Sequence, residues 1–366
     1  MKNDLQIKHY NRNALKELVE ASDYLAQKYY PISPHRAHSL INNPRGQEED
    51  ILLITAHHNA QLVGYRTAMP DFVPVGNGKV SFAWICGTWI HPDFRRKGIA
   101  TMLFQELKRA WQGRLFFTNY APVSKKIYDQ TGLFELYKYH KGIRYYMRFN
   151  LADLLPAKIP FIAHFNIFLR FIDSVGNTLI RPLLVRKIKA PEYTSVSLED
   201  QIWNSVQGMF QKSLFRRGEG EFNWLRDYPW VIDFSKKETY DRSRFQFSWI
   251  EEPYRRDVLT FECQGQRQQI FISQKGGRIT IPYYDLDKGA FNQAARIIVF
   301  EATKHSANEI DCYQRDLVLE LHQLKPFGLF LKDLDRNYMI SKGLHSLFPS
   351  SDKIQLFDGE GDVVFT

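Results

Sequence analysis

Residues 83–135 read AWICGTWIHPDFRRKGIATMLFQELKRAWQGRLFFTNYAPVSKKIYDQTGLFE. An apolar run over 82–90 meets a turn at Pro92. Then come Arg95-Arg96-Lys97-Gly98-Ile99-Ala100 and a helical pattern in which Ile99, Met102, Leu103, Leu107 and Ala110 share one face. A second short apolar run (115–117) and a shorter helix over 124–130 follow. The stretch is a strand, a turn, a helix, a second strand and a second helix.

Such a turn is suited to binding an anion. A glycine-containing loop that opens a helix aims several free N–H groups one way, and the helix dipole adds positive potential. Gly98 permits close approach of a ligand to the backbone, small Ala100 keeps the first turn open, and Arg95, Arg96 and Lys97 supply charge. No Gly-Lys-Ser/Thr follows and no GxGxxG is present, so neither a Walker loop nor a dinucleotide fingerprint fits.

With its context, Arg95-x-x-Gly98-x-Ala100 after Ile90-x-Pro92 resembles the acyl-CoA pyrophosphate loop of the GNAT superfamily of N-acyltransferases. Tyr128-x-x-x-Gly132 resembles that family's Tyr-x-x-x-Gly-Phe signature. Here Leu133-Phe134 replaces the single Phe, and Asn119 stands somewhat further from Tyr128 than usual. The resemblance implies an α/β (α+β) fold with a mixed, mostly antiparallel central sheet flanked by helices. It places pyrophosphate on the backbone of Arg95, Arg96, Lys97, Gly98, Ile99, Ala100 and Thr101. Pantetheine would run along Thr88, Trp89 and Ile90, with Asn119 as a further contact. It also implies acetyl-CoA as acyl donor, an amine-bearing acceptor and no metal.

Acyl transfer needs the donor held, the carbonyl polarised, the amine deprotonated and the thiolate protonated. A strand N–H near Trp89 or Ile90 serves the second need. Tyr128 is the candidate general acid, because a phenol with an ordinary pKa of about 10 is protonated at neutral pH. The base stays open. The strand Ala83-Trp84-Ile85-Cys86 offers no carboxylate, which leaves a water relay, His91, Asp71 or the terminal carboxylate of Thr366. Cys86 as a covalent nucleophile is weighed against a buried apolar cysteine, the commoner state on such a strand.

The 366 residues suit two domains, and 44% hydrophobic content with scattered charge reads as ordered and globular. Three cysteines without a CxxC pair fit a reducing cytoplasm and oppose a disulfide framework or zinc site. MKNDLQIKHYNRN lacks the apolar core of a signal peptide. Of the net charge of +9, residues 1–150 contribute 21 Lys and Arg against 12 Asp and Glu, as a site for a phosphate-rich ligand requires. No zinc-finger spacing, RNA-recognition signature or recognition helix is found, so nucleic acid is not expected as a partner.

The organisation expected is a catalytic domain over 1–150, an apolar helical linker over 151–192 and a degenerate GNAT-like domain over 193–366. Residues 12–28 have helical spacing, and 51–56 and 61–68 read as a hairpin whose tip holds His57 and His58. In the linker, a run from Phe161 to Ile172 ends at Gly176-Asn177. A helix packed against the domains is the favoured reading, over an interfacial membrane helix helped by Arg181, Arg186, Lys187 and Lys189. Further on, the order strand (278–286), helix (289–305), strand (309–314), helix (315–324) and Gly328-Leu329-Phe330 repeats the opening stretch with Gly132-Leu133-Phe134. Asp287-Lys288-Gly289 replaces the phosphate loop there, so this copy is not expected to hold acyl-CoA. Asp358-Gly359-Glu360-Gly361-Asp362 reads as a turn before a last strand at 363–365. Function is expected to be acetyl-CoA-dependent N-acetyl transfer to a primary amine, and a catalytically inactive acyl-CoA-binding regulator is the alternative.

Overall fold

The computed structural model describes residues 5–118, 122–187, 191–233, 245, 247, 249–251, 253–324, 330–348 and 355–365. Asn119, Lys189, Gly328, Leu329 and Thr366, each named above, lie outside the described residues.

The strands are β1 (Leu5–Tyr10), β2 (Leu53–His58), β3 (Gln61–Val75), β4 (Gly78–Ile90), β5 (Leu115–Thr118), β6 (Phe134–Tyr146) and β7 (Tyr193–Ser197). They continue with β8 (Val231–Asp233), β9 (Trp249–Glu251), β10 (Tyr254–Cys263), β11 (Gln266–Lys275), β12 (Arg278–Asp285), β13 (Glu309–Cys312) and β14 (Phe330–Ser341). The helices are α1 (Arg12–Glu20), α2 (Pro34–Ile41), α3 (Ile99–Ala110), α4 (Pro122–Thr131), α5 (Leu151–Lys158) and α6 (Asn166–Lys187). After them come α7 (Trp203–Gln211), α8 (Glu219–Asp227), α9 (Phe291–Lys304), α10 (Arg315–Leu324) and α11 (Lys342–His345). The fold is α/β, with mostly antiparallel strands and flanking helices, as expected.

Two compact units form, and each is assembled from separated segments. Unit 1 holds residues 1–139, 203–251 and 337–366, and unit 2 holds 140–202 and 252–336. These bounds differ from the consecutive blocks read from the sequence. The reason is strand exchange. In unit 1 the sheet order is β1-β2-β3-β4-β5-β14, and in unit 2 it is β7-β10-β11-β12-β13-β6. The last strand beside β5 comes from the far end of the chain, and the one beside β13 from its first half. Apolar periodicity shows that a strand exists but not which edge it joins.

Both orders have the same sense. The pairs β4–β5 and β12–β13 are parallel, every other neighbour in the two orders is antiparallel, and α3 and α9 occupy the same place in the connection. One face of the unit 1 sheet buries Ile99, Leu103, Phe104 and Leu107 of α3 against Ile54, Val63, Ala83 and Leu115. In unit 2, Ala294, Ile297 and Ile298 of α9 do the same against Ile270, Ile279 and Ile310.

Two local expectations are corrected. Gly176 and Asn177 do not end a helix, since α6 runs on to Lys187. Gly176 is there for packing: a Cβ on it would come within 2.5 Å of the Phe149 ring. Residues 363–365 form a short 3-10 turn rather than a strand. The acidic turn before them is tied inward, with Glu360 fully buried against Arg217 and Ser213.

Candidate active site

The candidate site lies in unit 1, where two adjacent parallel strands part. β4 pairs with β5 only at Ala83–Leu115 and Trp84–Phe116. From Phe116 on, β5 keeps β14 as a partner, at Ile340, Met339 and Tyr338. Among the described residues, β4 continues from Ile85 to Ile90 paired on its β3 side alone. A bulge accompanies the parting. Thr67 pairs with Gly87 and Ala68 with Ile85, which leaves Cys86 as the extra residue. Such an insertion bends a strand and re-aims its side chains. The Gly87 N–H is satisfied by Thr67 Oγ1 at 3.0 Å.

Past this cleft stands the expected loop. Gly98 caps α3 with φ +82°, the left-handed region that glycine adopts without cost, and a Cβ there would meet nothing within 4 Å. Arg96 is left-handed too, with φ +62°. Residues 95–98 and Thr101 are exposed, and the buried Ile99 side chain anchors the first turn in the core. Ile99 therefore presents only backbone outward. Arg95 Nε donates to Ile90 O at 3.3 Å, and Lys97 Nζ lies 4.7 Å from the Phe94 ring centre. Among the described residues, none of these three cations has a carboxylate partner, so their charge is available to an anion. The matching turn of unit 2 is closed. Gln268 accepts from Asp287 N and donates to Asp287 Oδ2, both at 2.7 Å.

Tyr128 on α4 packs among Phe104, Phe117 and Phe134. Its hydroxyl accepts from Nη1 of Arg66 at 3.1 Å. Arg66 sits on β3 opposite Thr88, is 1% exposed, and lies over the Phe104 and Tyr128 rings at 5.3 and 5.8 Å. No carboxylate pairs with it among the described residues, and its Nε has no partner. Sequence reading passed over this residue. The available signal was one cation in the middle of an otherwise apolar strand, where a charge is rarely buried without a specific role.

The opposite face of β3 and β4 is aromatic. Trp89 and Tyr65 stack at 5.5 Å, Tyr29 and His91 close around Trp89, and Phe245 stacks on Tyr65 at 6.0 Å. Phe247 fills the space that a side chain at Gly87 would take, 3.2 Å from that Cβ position. Arg36 is buried here with its guanidinium 3.8 Å from the Trp230 ring.

Two of the candidate bases and nucleophiles change standing. Burial works to raise the Asp71 carboxyl, but Arg217 and Arg45, with hydrogen bonds from Trp84 Nε1 and Phe72 N, more than offset it and hold the group below its ordinary value. Asp71 is a fixed structural anion. Burial, and after it the Asp362 charge, pushes the Cys86 thiol well above its ordinary value, so a thiolate nucleophile is disfavoured. Among the described residues no cluster of His, Cys, Asp and Glu could hold a metal ion.

Residues 16–123, which include the loop and the cleft strands, match the profile of the Acetyltransferase (GNAT) family. Over this stretch the chain is similar to domains of that family. Solved structures align over most of the chain. N-myristoyltransferase of Saccharomyces cerevisiae, solved with bound myristoyl-CoA, is 12% identical and aligns over 93% of this chain and 80% of its own, with TM-score 0.50. A GCN5-related N-acetyltransferase from Anabaena variabilis is 11% identical over 92% of this chain and 72% of its own, with TM-score 0.47. At these identities the likeness is one of fold. No curated protein matches by sequence.

Proposed function

We propose that the chain is an acyl-CoA-dependent N-acyltransferase whose donor is acetyl-CoA and whose acceptor is a primary amine. The observation that carries this reading is the parting of β4 from β5 between the exposed Gly98 loop and the Arg66–Tyr128 pair. The active copy is the one centred on residues 1–150, completed by the later segments of unit 1. The copy centred on 193–366 is degenerate, since Asp287 and Gln268 occupy its corresponding turn.

In this proposal the N–H groups of residues 95–101 receive the pyrophosphate, aided by the α3 dipole. Thr88, Trp89 and Ile90 line the pantetheine arm, and the N–H of Trp89 or Ile90 polarises the thioester carbonyl. Asn119, outside the described residues, remains a proposed contact. The amine enters over the Trp89, Tyr65 and Phe247 face and attacks the carbonyl carbon. The C–N bond forms, the C–S bond breaks, the thiolate takes the Tyr128 proton, and the proton that the amine nitrogen sheds returns through water to the Tyr128 oxygen. Because Arg66 donates to the Tyr128 oxygen, the phenol hydrogen must point elsewhere, so Arg66 orients that proton and places positive charge beside the leaving sulfur. The raised Cys86 thiol supports direct attack rather than an acyl-enzyme. Three free thiols fit a cytoplasmic location.

Calorimetric titration with acetyl-CoA and with longer acyl-CoAs, run beside an amine panel that reports released thiol, tests this. Binding with turnover supports the enzyme and names the preferred acyl chain. Binding with no turnover on any amine favours the inactive regulator, and no binding refutes the phosphate loop.

A further inference from the structure

Helix α6, in unit 2, turns its apolar side outward. Its inner stripe is Leu169, Asp173 and Gly176. Leu169 and Asp173 are buried, and the Asp173 carboxylate accepts from Leu151 N and Ala152 N, both at 2.9 Å. Asn177 bonds the Phe149 N–H and C=O, also at 2.9 Å each. A linker packed against the fold accounts for this stripe only. On the other side Ile167 is 89% exposed, Phe168 62%, Phe171 65% and Leu179 68%. Phe161 and Phe165, in the preceding 3-10 turn, are 70% and 54% exposed. Contiguous bare aromatic and aliphatic groups of this kind mark a contact surface.

The charge pattern selects the partner. From residue 158 to 187 the sequence has five Lys or Arg and a single acidic residue, Asp173, which belongs to the buried stripe. Exposed Arg170 borders the apolar arc. Among the described residues, no carboxylate of this segment faces outward. A second copy of the chain would set cations against cations. Anionic headgroups would be complementary, while Phe, Ile and Leu enter the acyl boundary. No described helix is long and apolar enough to cross a membrane, so such a helix would lie in the interface plane.

We propose that residues 161–179 form a monotopic attachment surface for membranes rich in anionic lipid. The proposal is independent of acyl transfer. It is tested by flotation of the full chain with phosphatidylcholine vesicles, with and without phosphatidylglycerol, and by sedimentation velocity in the absence of lipid. The chain should co-float with the anionic vesicles, less so at high salt. The double variant Phe168→Glu/Phe171→Glu, altered only at exposed positions, should lose about tenfold or more of that binding. Failure of the wild type to float, equal flotation on neutral vesicles, or an unaffected variant would each overturn the proposal. A concentration-dependent dimer that the variant abolishes, without flotation, would reassign the surface to a second copy.

Discussion

Arg45 Nη1 lies 3.0 Å from Asp71 Oδ1, and both side chains are 1% exposed. The same guanidinium donates to Glu221 at 2.8 Å and to Phe215 O at 2.7 Å, which ties β3 to the segment after residue 203. Arg45→Met would leave a buried carboxylate with one cation fewer. We expect a loss of about 3–5 kcal/mol, read as a lower midpoint in urea at unchanged slope. An unchanged midpoint would show that Arg217 alone suffices for Asp71.

Asp71 and Glu360 flank Arg217, at 3.3 and 3.0 Å, and are displaced in opposite directions. The Asp71 carboxyl is held below its ordinary 3.8, so its contribution to stability is present above that value and is lost as pH falls through the lower folded value. Burial chiefly raises the Glu360 carboxyl above its ordinary 4.5, so its contribution is present below 4.5 and is lost as pH rises through the higher folded value. Thermal melting against pH should therefore decline on both sides. Glu360→Gln should flatten the upper limb and leave the acid limb in place. Each kcal/mol corresponds to roughly 2–4 °C for a domain of this size.

Gly98→Asp sets a carboxylate where phosphate is proposed to bind and forces a side chain at φ +82°. Coenzyme A affinity should fall by about tenfold or more, while the backbone strain costs only about 1–2 kcal/mol of stability. Gly98→Ala separates the two effects, because its methyl group touches nothing in the protein. Calorimetry and melting of both variants give the comparison. Undiminished affinity in the Asp variant would remove the loop from the donor site.

Tyr128→Phe should reduce kcat by about 100-fold or more and leave acetyl-CoA affinity nearly unchanged. Arg66→Met should lower kcat and shift its pH profile, with partial recovery in Arg66→Lys. The double variant should be no slower than the worse single one, since both residues serve one proton. Additive losses would show that Arg66 acts through packing alone.

Much of unit 1 is written locally in the sequence. The Ile99 helix, the Gly98 turn and the strand before it follow from apolar spacing and one positive-φ glycine, and all appear at the expected positions. What local patterns do not encode is partnership across long separations. Phe245 and Phe247 reach β3 and β4 from far along the chain, and Tyr338 to Ile340 flank β5 from further still. Arg66 was hidden for a related reason. Its proposed role depends on Tyr128, sixty-two positions away and on another element. In α6 the apolar residues were evident, but not that only the Leu169–Asp173–Gly176 stripe would be covered.

The exchanged last strands bear on the order in which the polypeptide can acquire its shape during synthesis. Domains ordinarily fold from the amino terminus as the ribosome delivers them. Here the Gly98 loop and strands β1 to β5 of unit 1 emerge first, but the outer edge of β5 stays bare until residues 337–341 follow. An unpaired strand edge is a template for mispairing. The nascent chain must therefore carry its half-made sheet through most of translation, and a product cut near residue 150 would keep the phosphate loop yet lack the strand that covers β5.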